Sequence, residues 1–209
     1  MKRPSENFRE WRPHTTEKSA NRDGIGYGLE IYQEVFGFKK EELRNSTVMD
    51  LGSGPTERFS EDVKKLNINC TVISVNPDYS HDFWLRQEVR SDQWGGVKPD
   101  NKGSVAAIGQ ELPFPDGTFK FVVALNSISL YSSATNDSVA ATYWTKEVFR
   151  VLQPNGKACF FHDSPMESEK KYAVDQSKLI KLLKDAGFIV STRIINKDTH
   201  KQAVIAVKP

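Results

Sequence analysis

Apolar positions along the chain change period in a regular way. Between Tyr27 and Phe38, the residues Leu29, Ile31, Tyr32, Val35 and Phe36 recur at roughly helical spacing, and Gly37 marks a stop. The apolar run Thr47 to Leu51 then predicts a strand, Glu57 to Leu66 a helix, and Cys70 to Val75 a second strand rich in β-branched residues. After a polar stretch carrying Trp84 and Trp94, short strands are expected at Ser104 to Ile108 and Phe119 to Leu125, and a helix from Ser138 to Leu152. The turn residues Gln153-Pro154-Asn155-Gly156 introduce a strand at Lys157 to His162, and a helix from Tyr172 to Ala186 is expected to stop at Gly187. Phe188 to Ile195 and Gln202 to Val207, joined by a short polar segment, read as a closing antiparallel hairpin.

Strands alternating with helices predict an α/β fold: a parallel sheet covered on both faces, with the final hairpin adding an antiparallel edge. Residues 26–209 form the expected domain. The first 25 residues, polar with isolated aromatics such as Trp11 and the nearby His14, form an N-terminal arm. That arm is either a lid or a loose terminus.

Composition narrows the function. With 209 residues the chain is long enough for one full core, and its formal charge of +2 is spread along the length rather than gathered into a polyanion-binding stripe. Nucleic acid is therefore not supported as a partner. No apolar run approaches a membrane span and the start lacks an apolar signal core, so a soluble cytoplasmic protein is expected. Cys70 and Cys159 lie in strand-like runs without Cys-x-x-Cys spacing and are expected to be reduced core residues. The four histidines are scattered, which gives no support for a metal site.

Candidate chemistry centres on Asp50-Leu51-Gly52-Ser53-Gly54-Pro55-Thr56, directly after the first strand. In an open parallel sheet, ligands bind beyond the carboxyl ends of the strands where strand order reverses, and glycines let a backbone turn sharply against a ligand at a helix amino end. An ordinary strand-to-helix turn is the plain alternative. A dinucleotide fingerprint is disfavoured because Glu57 stands where its third glycine belongs, and a P-loop because Gly-Lys-Ser/Thr is missing.

Three segments in order carry a resemblance. The loop beginning at Asp50 resembles the first motif of the class I S-adenosylmethionine-dependent methyltransferases, in its type 11-like branch. Gln110-Glu111-Leu112-Pro113-Phe114-Pro115-Asp116-Gly117-Thr118-Phe119 is similar to that family's Leu-Pro-Phe-x-Asp-x-x-Phe segment. Glu147-Val148-Phe149-Arg150-Val151-Leu152-Gln153-Pro154-Asn155-Gly156-Lys157 resembles its Arg-x-Leu-x-Pro-Gly-Gly turn. The resemblance implies a Rossmann-like seven-stranded sheet, mostly parallel with an antiparallel final strand and helices on both faces. It implies S-adenosylmethionine as cofactor and methyl transfer as reaction.

Roles follow residue by residue from the resemblance. Asp50, Gly52, Ser53 and Gly54 would underlie the methionine part of the cofactor. Asn76, followed by Pro77, stands where the family has an acid for the ribose hydroxyls, roughly 20 residues after the glycines. Ile108, Gly109 and Gln110 would meet the adenine, and Asn126 and Ser127 the cofactor or substrate. Trp11, His14, Tyr27 and Tyr131 are candidates for a lid or acceptor wall, and His162 and Asp163 for moving a proton. Thr56, Asn76, Ile108 and Lys120 depart from the family's usual residues, so a lapsed enzyme that binds or regulates is the competing expectation. A small-molecule acceptor is expected by default, and the oligomeric state is left open.

Overall fold

A computed structural model describes residues 27–53, 57–76, 103–105, 107, 109–125, 127, 138–161, 176–196 and 201–209. Helices α1 (Leu29–Phe36) and α2 (Lys40–Leu43) lead into strand β1 (Ser46–Leu51). Then come α3 (Arg58–Lys65), β2 (Cys70–Val75), β3 (Ser104–Val105), β4 (Phe119–Leu125), α4 (Ser138–Val151), β5 (Leu152–Phe161), α5 (Gln176–Asp185), β6 (Ile189–Asn196) and β7 (Lys201–Val207). The sheet runs β3-β2-β1-β4-β5-β7-β6. Strands β3 through β5 pair in parallel, and β7 is antiparallel to both β5 and β6. The α/β fold is thus a Rossmann-like, seven-stranded, mostly parallel sheet with an antiparallel final strand.

Why the central strands are so apolar follows from their cover. Alternate residues of β1 and β4 enter two cores: Met49, Leu51, Val122 and Ala124 pack with Trp144 of α4 and Leu183 of α5. Val48, Phe121, Val123 and Leu125 pack with Leu29 and Tyr32 of α1 and Phe59 and Val63 of α3. A strand buried on both faces reads as a continuous apolar run, as β4 does.

Several element ends differ from expectation. Helix α1 is shorter than the periodicity suggests, starting after Gly28, where the Asp62 carboxylate accepts a hydrogen bond from the Leu29 N–H at 3.0 Å. Its stop at Gly37 is left-handed, with φ 75°, and Gly187 after α5 has φ 105°. Helix α2 was not anticipated; its four residues are too few to show a period. The expected turn at 153–156 lies inside β5 rather than before it. Phe119 pairs with Leu152 and Phe121 with Lys157, so those turn residues form an excursion, with Asn155 at φ 60°. The Asn155 N–H donates to the Lys208 carbonyl, and the Lys208 N–H to that of Gly156, which ties the excursion to the end of β7.

Arg150 explains two of the three motifs at once. From the last turn of α4 its guanidinium donates to the carbonyls of Leu112 (2.9 Å) and Phe114 (2.7 Å) and pairs with Glu147 and Asp116, both at 2.8 Å. Glu147 in turn accepts from the Leu112 N–H at 3.0 Å. Those contacts hold the Glu147 carboxyl below its usual range and raise the guanidinium further. The Leu-Pro-Phe segment is thereby clamped to α4. Arg150→Met should cost about 2–4 kcal/mol in urea unfolding, because hydrogen bonds to charged groups contribute about 1.5–3 kcal/mol each and Glu147 loses its partner. Adding Glu147→Gln should restore part of that loss; strict additivity of the two substitutions would contradict the clamp.

Candidate functional site

Strand order reverses between β1 and β4, and the chain leaves β1 into the glycine loop at that point. Gly52 is left-handed, with φ 80°, and its N–H donates to the Val75 carbonyl at 2.7 Å. Ser127, just past β4, donates its hydroxyl to the Leu51 carbonyl at 2.6 Å and lies so close that any Cβ at position 52 would collide with it. Glycine is required here by both backbone and space. Ser127 is buried and acts as a strut behind the loop, and Ser53 is buried beside it.

Asp50 is the chemical centre of this arrangement. Its side chain is 1% exposed; Oδ1 accepts a hydrogen bond from the Tyr32 hydroxyl at 2.8 Å, while Oδ2 has no partner. Burial pushes its carboxyl up to about 7; the Tyr32 hydrogen bond opposes that rise and the charge of Glu57 adds to it. Register places Asp50 beside Ser74 and Ser74 beside Ser104, so the three share one face of the sheet beneath α1 and α3. The Ser74 hydroxyl also lacks a partner, and Ser104 donates to Glu57 Oε1.

Glu57 is not the first residue of a helix, as its pattern suggested. It is the N-cap of α3, left-handed at φ 48° and buried. Neither its role nor that of Tyr32 stood out in the sequence. The available signal for Tyr32 was a phenol on the apolar stripe of a helix, since a buried hydroxyl must find an acceptor.

The other candidates fall as follows. Asn76 is buried at the end of β2, its N–H donating to the Val105 carbonyl at 3.1 Å. Gly109 is buried and Gln110 half-buried, just before the clamped Leu112. Tyr27 packs half-buried against the core on the α1 side of the sheet. Gly54, Pro77, Ile108, Asn126, Tyr131, His162, Asp163, Trp11 and His14 lie outside the described residues, as do Thr56 and the arm. Cys70 and Cys159 are free thiols, and burial pushes Cys159 up to about 12, so it is inert at neutral pH. Among the described residues no group of three or more acid, histidine or cysteine side chains could hold a metal, and no helix is long and apolar enough to cross a membrane.

The residues present fit the methionine end of S-adenosylmethionine. A buried carboxylate oxygen without a partner suits an ammonium group, and a loop kept free of side chain at Gly52 admits close approach. They fit its ribose less fully, because Asn76 offers a neutral amide.

No curated protein matches the chain. Among solved structures, a SAM-dependent methyltransferase from Aquifex aeolicus superposes with TM-score 0.60 at 16% identity, covering 96% of this chain and 100% of its own. A SAM-dependent methyltransferase from Methanosarcina mazei gives 0.52 at 16% identity, covering 88% and 99%. The cyclase SpnF gives 0.55 at 13% identity, covering 86% and 79%, so a protein named for a different reaction shares the fold. A family model described as a methyltransferase domain matches residues 49–160, from the middle of β1 through nearly all of β5. With more than half its length matched, and with that sheet order, the chain belongs to the class I S-adenosylmethionine-dependent methyltransferase family.

Proposed function

We propose that the protein is a working S-adenosylmethionine-dependent methyltransferase acting on a small molecule. The observation that carries this reading is Asp50: a carboxylate buried at the end of the central strand, one oxygen held and the other buried without a partner, beside a loop that tolerates only glycine at position 52. When bound, the cofactor supplies an electrophilic methyl group on a sulfonium. The chain's part is alignment and exclusion of water, so no nucleophilic side chain is required.

Asp50, Gly52, Ser53 and Gly54 hold the amino-acid end. Asn76 and Pro77 bear on the ribose, and Ile108, Gly109 and Gln110 bear on the adenine, with the segment beyond Gln110 fixed by Arg150. Ser127 supports the loop, and Asn126 follows β4 directly. His162 and Asp163 follow β5 and would take a proton from a nitrogen or oxygen acceptor. Trp11, His14, Tyr27 and Tyr131 would shape the acceptor wall. Balanced charge supports a small acceptor over a polyanion.

A second reading has its own observation in Asn76: with a neutral group at the ribose position, the chain would bind cofactor and regulate without turnover. Calorimetry with S-adenosylhomocysteine should give micromolar affinity, and Gly52→Ala should abolish it; no heat at millimolar ligand would end the cofactor reading. Asn76→Asp should tighten binding roughly fivefold, the difference of about 1 kcal/mol between neutral and charge-assisted hydrogen bonds. Methyl transfer to a small-molecule acceptor panel, lost in His162→Ala, separates the enzyme from the regulator.

A further inference from the structure

We propose that Tyr32 is a positioning residue for the cofactor's amino-acid end: its hydroxyl fixes one oxygen of Asp50 and leaves the other for the cofactor's ammonium group, while burial makes Asp50 a proton carrier that discharges when that cation arrives. The inference rests on the reading of the β1 end as the cofactor site.

The geometry is specific. Tyr32 is 2% exposed, stacked on Phe59 with ring centroids 4.6 Å apart, and reaches Asp50 Oδ1 at 2.8 Å. Its ring cannot swing away without opening the core shared by α1 and α3. The N-terminal end of α1 is pinned independently by Asp62. The helix before the sheet therefore sets the angle of a carboxylate 18 residues later.

On balance the surroundings of Asp50 favour its neutral form, with only the Tyr32 hydroxyl pulling toward the ionised one. From α1 comes one hydroxyl donor, Tyr32. The start of α3 brings a second acid, Glu57, itself bonded to Ser104 of β3, while the nearby Asp62 of the same helix is spent on the Leu29 N–H. From β2 comes Ser74, whose hydroxyl has no partner, and from β4 the apolar Val123. Among the described residues, no cation acts on the Asp50 carboxyl. An arriving ammonium group reverses the preference, since an opposite charge at contact favours the ionised form. The proton then leaves Asp50 for solvent, and no covalent bond of the cofactor changes.

Proton release is the readout. Calorimetry of S-adenosylhomocysteine binding at pH 6.5, in buffers of different ionisation heat, should show about half a proton or more released, falling toward zero by pH 8.5. Affinity should rise up to tenfold per pH unit below about 7 and level above it. 5′-Methylthioadenosine, which lacks the amino-acid end, should release none. Tyr32→Phe keeps the stacking on Phe59 and removes only the hydroxyl. It should weaken S-adenosylhomocysteine roughly tenfold at pH 7, move the affinity midpoint to higher pH, and leave methylthioadenosine affinity unchanged.

Asp50→Asn should abolish proton release. Because the folded carboxyl keeps its proton well above the ordinary 3.8, stability from this group is present below that value and is lost as pH rises toward about 7. Asp50→Asn should accordingly raise the melting temperature at pH 8 relative to wild type, and less so at pH 4. Wild-type binding without proton exchange, or a Tyr32→Phe variant with wild-type affinity and pH midpoint, overturns the proposal. Failure of the wild type to bind S-adenosylhomocysteine at all overturns the cofactor reading instead.

Discussion

Burying a carboxylate at the end of the central strand is the constraint around which this molecule is organised. Asp50 lies at the reversal point of the sheet, where backbone from β1, β2 and β4 converges and water is excluded. A lone charge there is costly, and one phenol offsets only part of the cost. Helix α1 must deliver that phenol, so its buried face, the Asp62 cap and the Phe59 stack all serve one hydrogen bond. Stability is given up at the point where a ligand can restore it, a pattern expected of binding sites rather than of cores.

On the opposite face, the polar groups around the end of α4 satisfy one another. Arg150, Glu147 and Asp116 satisfy one another and two carbonyls, and Lys208 donates to the carbonyls of Phe149 and Leu152, each at 2.8 Å, closing the end of α4. The contrast separates two uses of charge. Here it holds a segment rigid at the rim, where water lowers the cost of each ion; at Asp50 it waits for a partner.

Most of the sheet was legible because local pattern and burial agree. β2 and β4 begin and end where their apolar runs do, and Gly37 and Gly187 stop their helices as left-handed residues. The excursion in β5 was misplaced because Pro154 and Asn155 read locally as a turn, whereas Leu152 is drawn into the ladder by Phe119, a partner far away in sequence. The glycine loop was visible as chemistry. Its supports were not: Tyr32 has the periodicity of any core aromatic, and Glu57 only becomes notable once its left-handed backbone buries it against Ser104. Interactions spanning long separations leave no periodic trace, so Ser127 was legible as a candidate cofactor or substrate contact but not as the strut behind Gly52.

The β1–β4 seam has a consequence for how the protein is made. Strands up to β3 build one side of the sheet and those from β4 onward the other; the two sets of strands pair along that seam, and α1 packs across it onto β5, β6 and β7. The loop strut from Ser127 crosses it. A nascent chain that has emerged only through β2 has Asp50 and Gly52 but lacks the wall behind them. Ligand capture therefore becomes available late in synthesis, after the second side has docked, and it then stabilises the joined product over its unjoined halves by mass action.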